Sequence, residues 1–299
     1  MSFSRSLSRV IKDTCSGLAQ NSWVKSSWVQ SSSDLASNLG KRVITNIPSL
    51  NNLTTSEIPL ASVDDNSIVR LENIDWRDFF SKKLSGLGLE IGPLHRPMVT
   101  HKDMNVHYVD RCSVEDLRKH YPELNELPLV EPHILDDAET LSTVSDETYD
   151  FLIAAHVIEH MKNPLASLEQ WARVLKPGGL IYMIVPDKRR TFDKQRVRTT
   201  VAHIVNDYLS PSNERDFEHY LDYAIHVHSQ TNPDNAISEA RRLIETDYSI
   251  HFHVFMPEDV LGLIRWFGEH VRPLEILEGP HMSPCSDEFH FLLSVSKSH

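Results

Sequence analysis

The amino-acid sequence predicts an α/β fold: a doubly wound, mostly parallel sheet with a helical insert after its fifth strand. Two observations lead to this prediction. Short apolar runs alternate with helix-compatible segments between about residues 84 and 186, and a longer helix-rich stretch then interrupts the alternation. Strands that alternate with helices indicate a parallel sheet covered on both faces. At 299 residues with 40% apolar side chains, the chain can bury a sizeable core without metal or disulfide.

The N-terminal residues 1–66 differ from the rest in composition. Fifteen serines precede position 63, charges are sparse, and no helical or strand period persists. We therefore predict a serine-rich, partly ordered segment. Its first twelve residues are basic and amphipathic, as in transit peptides and interfacial anchors, and the plainer alternative is a short docked or frayed helix. The amphipathic residues 69–84 predict a helix packed on the domain that follows.

The predicted strands come in chain order at residues 87–91, 105–109, 130–135, 149–155 and 179–185. The fourth reads FLIAA and the fifth LIYMIV, which is the continuous apolar pattern of a strand buried on both faces. A helix is predicted over residues 165–175, between these two strands. The chain ends with a helix over residues 257–267 and a further strand in FHFLLSVSK.

The predicted domain organisation follows from these elements. Residues 67–186 and 251–299 form the α/β domain, and residues 187–250 form an insert of two or three amphipathic helices. A segment that follows a strand's carboxyl end lies over the ligand crevice of an open α/β sheet. We therefore expect the insert to act as a cap over the substrate.

Composition excludes several classes of protein. Three widely spaced cysteines argue against a disulfide framework and for a reducing compartment, so we predict a cytoplasmic protein. The net charge of −12 disfavours general nucleic-acid binding. The longest apolar runs, residues 151–158 and 179–186, are far shorter than the roughly 18 to 20 residues that span a bilayer. No transmembrane segment is therefore predicted.

The turn after the first strand predicts a ligand without a diphosphate. A dinucleotide enzyme has G-x-G-x-x-G at this place, because a pyrophosphate needs several free backbone N–H groups. Here Gly92 is followed by Pro93, and Pro97 removes a further donor. Glu90 just before the turn would repel a phosphate and attract an ammonium group. A Gly-Pro turn without function is an equally good interpretation of these residues alone.

Carboxylates also follow the second and third predicted strands. Asp110 ends the second strand, 18 residues after Gly92, where an acidic residue can accept both hydrogen bonds of a ribose diol. The run Asp136-Asp137-Ala138-Glu139 follows the third, where an adenine amino group would need an acceptor. Acids at three successive strand ends indicate a nucleoside site, although any one of them alone is more typical of a solvated turn.

The motif series resembles the class I S-adenosylmethionine-dependent methyltransferases. In order, the motifs are LEIGP, YVD, DDAETL, YDFLIAAHVIEHM and RVLKPGGLIYMIVP, which span residues 84–186. The resemblance implies a seven-stranded, Rossmann-like sheet with a reversed final hairpin, adenosylmethionine as cofactor, and methyl transfer to an acceptor above it. The first motif departs from the usual form with three glycines, because Leu94 and His95 replace the later ones.

The same resemblance assigns the cofactor contacts by position. It implies that Glu90, Gly92 and Pro93 meet the methionine end and that Asp110 meets the ribose. Two further assignments follow: Asp137 and Ala138 would meet the adenine, and His156 would border both cofactor and acceptor.

The segment His156-Val157-Ile158-Glu159-His160 also matches H-x-x-E-H, the inverted zinc-peptidase pattern. That chemistry needs both histidines on one continuous helix, with a third ligand downstream. A buried strand directly precedes the motif and Pro164 follows it closely, so we expect no long helix here. The peptidase is therefore the least favoured of our functional hypotheses.

A milder metal hypothesis remains from the resemblance. Some methyltransferases with a related E-x-x-E-H segment hold a divalent metal there, and His251 or His253 could complete such a set with His156, Glu159 and His160. The alternative is that Glu159 and His160 only cap and orient the turn after the fourth strand. We favour this alternative and assign no metal ligands.

Methyl transfer is an in-line displacement at an activated carbon, so the enzyme mainly supplies alignment and desolvation. If the acceptor is a hydroxyl, a histidine is the usual carrier of its proton near neutral pH. The catalytic candidates are His156, His160 and His253. We predict a hydroxyl or amine acceptor on a small molecule or carbohydrate, and the second hypothesis is a catalytically silent scaffold that binds the nucleoside.

A group of cations lies at the start of the insert. It could attract an anionic acceptor, such as a nucleotide-linked sugar or a lipid-linked glycan. The plainer alternative is a charged helix face paired with Asp187 and Asp193. The cations are Lys188, Arg189, Arg190, Lys194, Arg196 and Arg198.

Overall fold

A computed structural model describes residues 74–296 of the chain. The serine-rich segment 1–66, its amphipathic start and Cys15 lie outside the described residues, as do residues 69–73 of the predicted first helix. The described cysteines, Cys112 and Cys285, are free thiols. None of the helices in residues 74–296 is long and apolar enough to cross a membrane.

The centre of the fold is a seven-stranded sheet in the order β3-β2-β1-β4-β5-β7-β6. Strands β1 to β5 are parallel, and β7 pairs antiparallel with both β5 and β6. The predicted fold class, including the reversed final hairpin, is confirmed. The strands are β1 (Gly86–Ile91), β2 (Met104–Asp110), β3 (Ile134–Leu135), β4 (Tyr149–Ala155), β5 (Leu175–Pro186), β6 (Leu274–His281) and β7 (Glu288–Val295).

Helices lie before, between and after these strands. Three of them, α4 to α6, lie in the segment that separates β5 from the final helix and hairpin. The α-helices are α1 (Trp76–Ser81), α2 (Val114–His120), α3 (Pro164–Arg173), α4 (Val201–Leu209), α5 (Asn213–His226), α6 (Pro233–Glu245) and α7 (Pro257–His270).

The two central strands explain the core. Alternate residues of a strand point to opposite faces of the sheet. In β4, Leu152 and Ala154 therefore join the core under α3 and α7, whereas Phe151 and Ile153 join a second core under α1. The same alternation continues in β5. Because both faces are covered, every one of these positions is apolar, which is why the sequence reads as an unbroken hydrophobic run.

Three local predictions differ from the structure. The third strand has two residues rather than six; it lies at the edge of the sheet, and all six residues of the run 130–135 are exposed or only half-buried. No helix follows β1 between residues 92 and 103, although the sequence predicts a strand-to-helix turn there. Strand β5 begins at Leu175, so the Pro-Gly-Gly segment lies within it, at a register shift.

Strand β6 has no counterpart in the elements predicted from the residues alone. It lies at the edge of the sheet, and its residues alternate between half-buried and exposed positions over most of its length. An edge strand with a partly polar sequence lacks the apolar run that identifies β4 and β5.

Candidate active site at the carboxyl ends of the parallel strands

The parallel register brings four strand ends to one edge of the sheet. Ile91 pairs with both Val109 and Ala154, and Asp110 pairs with Leu135. The residues that follow these ends therefore lie along one edge of the sheet, where an open α/β sheet has its ligand crevice. From the outer strand inward they are Asp137 and Ala138, Asp110, Gly92 and Pro93, and His156. These are the positions that the sequence predicts for cofactor binding.

Gly92 provides open space at this edge. Its φ is +58°, a conformation that favours glycine, and nothing lies within 4 Å of the place where a Cβ atom would stand. Its N–H donates to the carbonyl of Val109 at 2.8 Å, which fixes the turn against β2. The backbone of Gly92 is therefore open to a ligand on the side where a Cβ atom would stand.

Glu90 holds the loop that follows Gly92. Its carboxylate is buried and accepts from the backbone N–H of Met98 at 2.9 Å. Burial raises the pKa of Glu90 to about 7, against the opposing effects of the Met98 hydrogen bond and the Arg77 charge. The contact that the structure gives this side chain is with the loop, and its contact with the methionine end of a cofactor stays a prediction.

Asp110 is half-buried at the end of β2. Burial raises the pKa of its carboxyl, although backbone hydrogen bonds from Cys112 and Arg111 oppose the shift. Asp137 is exposed and its side chain bonds only the N–H of Glu139 among the hydrogen bonds of the described residues. Both carboxylates thus retain oxygen lone pairs at the edge, so they can accept hydrogen bonds from the ribose hydroxyls and the amino group of an adenosine.

Asp136 and Glu139, the other acids of the same run, serve the local fold. Asp136 accepts from the N–H and hydroxyl of Thr143 at 2.7 and 2.6 Å. Glu139 accepts from the backbone of Asn163 at 3.2 Å, and burial raises its pKa to about 7. These two carboxylates stabilise turns next to the crevice.

His156 follows β4 in a strained conformation. Its φ is +56°, which is uncommon for a residue with a Cβ atom and often marks a functional position. Nε2 lies 2.8 Å from the carboxylate of Glu288, and Arg77 donates two hydrogen bonds of 2.7 Å to the same carboxylate. We call Arg77, Glu288 and His156 the crevice network.

The crevice network sets the protonation of His156. Burial by itself lowers the pKa of this imidazole, but the Glu288 hydrogen bond and the Glu159 and Glu288 charges outweigh it and raise the pKa above 6.5. Glu288 itself is strongly acidic: burial would raise its pKa, whereas hydrogen bonds from Arg77 and His156 hold it far below 4.5. His156 is therefore a basic imidazole beside a permanent negative charge.

Arg77 and Glu288 were not identified from the sequence. They are 211 residues apart and belong to α1 and the start of β7, so no local motif joins them. The sequence predicts the helix and the strand to which they belong, but not that the two side chains meet.

The H-x-x-E-H motif does not form a helix. Only Ile158–His160 forms a short 3-10 helix, and α3 begins separately at Pro164. Glu159 is buried, and neither of its carboxylate oxygens has a hydrogen-bond partner. Burial raises the pKa of this carboxyl. One ligand atom each of Glu159, His160 and His251 lies within 4.8 Å of the others. His156 instead bonds Glu288, so the geometry for the peptidase is missing.

The other two histidines proposed as catalytic are poor proton acceptors. Burial and the neighbouring His251 lower the pKa of His160 to about 3, and its Nδ1 lies 2.9 Å from the carbonyl of Ile250. Burial and His219 lower the pKa of His253 to about 3. The backbone N–H of His253 donates to the carbonyl of Glu159 at 3.1 Å, but its imidazole lies with His203, Asp207 and His219. Among the three candidates, the geometry therefore favours His156 for proton transfer.

Parts of the insert lie beside the crevice. Arg111, next to Asp110, forms a 2.9 Å ion pair with Asp247, which follows α6. Lys162, after the turn that follows β4, lies 3.4 Å from Asp216 of α5. The two contacts attach the insert to the ends of β2 and β4.

The arginines at the start of the insert are paired inside the protein. The carboxylate pairs of Arg189, Arg196 and Arg198 correspond to the plainer of the two sequence interpretations, and they reduce the positive charge left for an anionic acceptor. The partners are Asp187 for Arg189, the carbonyls of Pro284 and Ser286 for Arg190, Asp193 and Asp222 for Arg196, and Asp259 for Arg198.

Part of the chain matches a known family of protein domains. Residues 86–183, which contain β1 to β4 and most of β5, match the family model described as a methyltransferase domain. No curated protein sequence matches the chain.

Solved structures resemble the chain only at low identity. A SAM-dependent methyltransferase from Aquifex aeolicus is 14% identical, with a TM-score of 0.39 over 78% of this chain and 100% of that one. A SAM-dependent methyltransferase from Methanosarcina mazei is 16% identical, with a TM-score of 0.37 over 74% and 96%. A Rhodobacter sphaeroides protein named among zinc-dependent alcohol dehydrogenases is 12% identical, with a TM-score of 0.45 over 74% and 88%. None of these similarities is close enough to assign an activity.

Proposed function

We propose that the chain, through the methyltransferase domain matched over residues 86–183, transfers a methyl group from S-adenosylmethionine to a hydroxyl or amine of a small-molecule or carbohydrate-like acceptor, with His156 as the group that receives the acceptor's proton. The observation that carries the proposal is the crevice network. A basic imidazole at the carboxyl end of β4 is held by the carboxylate of Glu288 at 2.8 Å.

The proposed cofactor contacts follow the strand ends. Gly92 leaves room for close approach to the backbone, Asp110 would accept from the ribose hydroxyls, and the exposed Asp137 beside Ala138 would accept from the adenine. When bound, adenosylmethionine supplies an activated methyl group on a sulfonium. The chain's own residues then need to orient the acceptor, exclude water and receive a proton.

His156 is suited to the last of these tasks. A general base works best when its pKa lies near the working pH, and the pKa of His156 is raised above 6.5. After the imidazole takes a proton, Glu288 stabilises the positive charge through the existing hydrogen bond. Arg77 keeps Glu288 ionised, because its two hydrogen bonds stabilise the carboxylate form. Glu288 and Arg77 are thus positioning residues.

The proposed cap comprises residues 187–250. The ion pair of Arg111 with Asp247 and that of Lys162 with Asp216 support its location over the crevice. Because the arginines at its start are paired internally, the acceptor we favour is neutral at the reacting end. The acceptor would enter between the cap and the strand ends, where water can be excluded.

The test combines binding with transfer. Calorimetric titration of the full chain with adenosylmethionine should give micromolar binding, and methyl-labelled adenosylmethionine should pass its label to a hydroxyl or amine in a panel of sugars, phenols and amines. His156→Gln should retain cofactor binding and lose transfer. Binding with no label transfer to any acceptor class would favour the silent scaffold, and transfer at full rate by His156→Gln would disprove the role of His156.

A further inference from the structure

A cluster of histidines lies outside the crevice network, between the insert and the segment that precedes α7. His203 and Asp207 stand one helical turn apart on α4, His219 belongs to α5, and His253 lies between α6 and α7. One ligand atom from each of the four residues lies within 4.8 Å of the others. We call these four residues the insert cluster.

Two distances within the insert cluster are close to those between neighbouring ligands of a small metal ion. Nε2 of His203 lies 3.2 Å from Nε2 of His219 and 3.0 Å from Oδ2 of Asp207. In a tetrahedral zinc site with bonds of about 2.0 to 2.1 Å, neighbouring ligand atoms lie about 3.3 to 3.4 Å apart. These two distances are close to that geometry, and the ligand atoms of all four residues lie within 4.8 Å of one another.

The cluster contains polar atoms that the protein does not satisfy. Nδ1 of the fully buried His253 has no hydrogen-bond partner, and Oδ2 of Asp207 is buried without a hydrogen bond of acceptable geometry. Nε2 of His203 cannot satisfy both neighbours, because it carries at most one proton. A buried polar atom without a partner destabilises the folded protein. Two such atoms in one cluster are suited to a shared ligand such as a metal ion.

Two residues of the cluster also form hydrogen bonds with groups outside it, through the atoms that do not face the other ligands. Nε2 of His253 donates to the carbonyl of Lys162 at 3.2 Å, which fixes the proton on that nitrogen and leaves the Nδ1 lone pair free. Oδ1 of Asp207 is bonded by the guanidinium of Arg215. Metal-binding histidines and carboxylates typically have such outer hydrogen bonds, which orient the ligand atom toward the metal.

The cluster is reachable from solvent. His203 and His219 line a cleft of about 250 Å³, together with residues of the segment that follows Arg196. An ion can therefore enter, whereas His253 and Asp207 form the buried side of the site.

We propose that His203, Asp207, His219 and His253 bind a structural zinc ion. Three imidazoles and one carboxylate are ligands that zinc accepts, and four protein ligands close a tetrahedral site, which is characteristic of structural rather than catalytic zinc. The ion fastens α4 and α5 to the segment before α7. It thereby holds the insert in place without contact with the crevice network.

The first experiment measures metal binding by the full chain. The protein is stripped with a chelator and titrated with zinc, and separately with cobalt(II). One equivalent should bind, and the cobalt form should show the intense visible absorption of a tetrahedral site. Failure to bind either metal at micromolar concentration would overturn the proposal.

Variants then locate the ion. His219→Ala and Asp207→Asn should lower zinc affinity by more than the roughly 10- to 100-fold expected of Arg215→Ala, which removes the outer hydrogen bond to Asp207 but none of the four ligand atoms. His226→Ala, an exposed histidine of the same insert, should retain full binding. Loss of the ion in His251→Ala with full retention in His219→Ala would assign the metal to Glu159, His160 and His251 instead, and would overturn the proposal.

A final measurement does not depend on the folding of any variant. Removal of zinc from the wild-type chain should speed proteolytic cleavage within residues 201–245, and added zinc should restore protection. Equal cleavage rates with and without zinc would contradict a structural role. Adenosylmethionine binding, measured in parallel, reports separately on the crevice.

Discussion

The crevice network and the insert cluster use histidine in opposite ways. His156 of the crevice network faces a carboxylate whose charge Arg77 maintains, and the pKa of the imidazole is raised. In the insert cluster, burial lowers the pKa of His219 to about 4 and that of His253 to about 3. The first environment stabilises a proton on the ring, whereas the second keeps the rings neutral.

This difference shows that the partner, rather than the residue type, determines what a buried histidine can do. A histidine paired with a carboxylate can accept and release a proton near neutral pH. Neutral histidines whose lone pairs converge without a donor are suited to a metal. Each region can be perturbed without touching the other, so variants can separate the two roles.

The largest expected effect is a loss of activity when the crevice network is changed and the insert cluster is left intact. His156→Ala should lower kcat by about 10² to 10⁴-fold, because the acceptor's proton loses its carrier. Its zinc content should equal that of the wild type, measured by elemental analysis of the purified protein. His226→Ala is the matched control for loss of a histidine. An unchanged kcat in His156→Ala would show that the crevice network has no role in methyl transfer.

The next effect tests whether the crevice network also stabilises the fold. Glu288→Gln should lower the free energy of unfolding by about 1 to 3 kcal/mol at pH 7, because Arg77 loses a charged partner. Since the folded pKa of Glu288 is far below its ordinary 4.5, this stabilisation is complete above about pH 5 and is lost as the pH falls. Denaturant titrations of both proteins across this range should therefore converge at low pH. A constant difference would contradict the assigned charge.

Cofactor binding should depend on the crevice and not on the insert cluster. Asp110→Ala should weaken adenosylmethionine binding by about 1 to 3 kcal/mol through lost charged hydrogen bonds. Calorimetry measures this directly, with Asp103→Ala as control, because Asp103 is exposed and precedes the opposite end of β2. Equal affinities in the two variants would mean that the end of β2 is not part of the cofactor site.

The smallest effect concerns the pH dependence of the rate. Transfer requires neutral His156, so the rate should rise with pH through the raised pKa of this residue. Removing the charge in Glu288→Gln lowers that pKa, and the rising limb should move to lower pH by up to about one unit, which corresponds to about 1.4 kcal/mol. The pH–rate profile of Glu278→Gln, a carboxylate paired with Lys83, serves as control. If the rising limb of the pH–rate profile of Glu288→Gln did not move, Glu288 would not control the pKa of His156.

The sequence predicted the central strands better than the edges. Strands β4 and β5 lie inside the sheet, so most of their residues are apolar on both faces and the pattern is continuous. Strands β3 and β6 are at the two edges. Edge strands expose part of their surface, and their sequences therefore carry weaker signals, which explains the shortened third strand and the unpredicted β6.

For the site, the sequence supplied the residues that follow strand ends. Gly92, Asp110 and His156 could be placed on one edge because all parallel strands end at the same side of a sheet. It did not supply their partners. Glu288 comes from the start of β7, and nothing in its local sequence distinguishes it from the other carboxylates on the chain.

By itself, the sequence determined the fold class, the order of motifs and the strand ends that border the crevice, because these depend on local apolar patterns and on the chain's direction. Only the tertiary structure decided which histidine faces Glu288 and which three join Asp207. His156 and Glu288, for example, are 132 residues apart in the sequence. The pKa and the ligand geometry of a side chain depend on such distant neighbours in space, which no local pattern records.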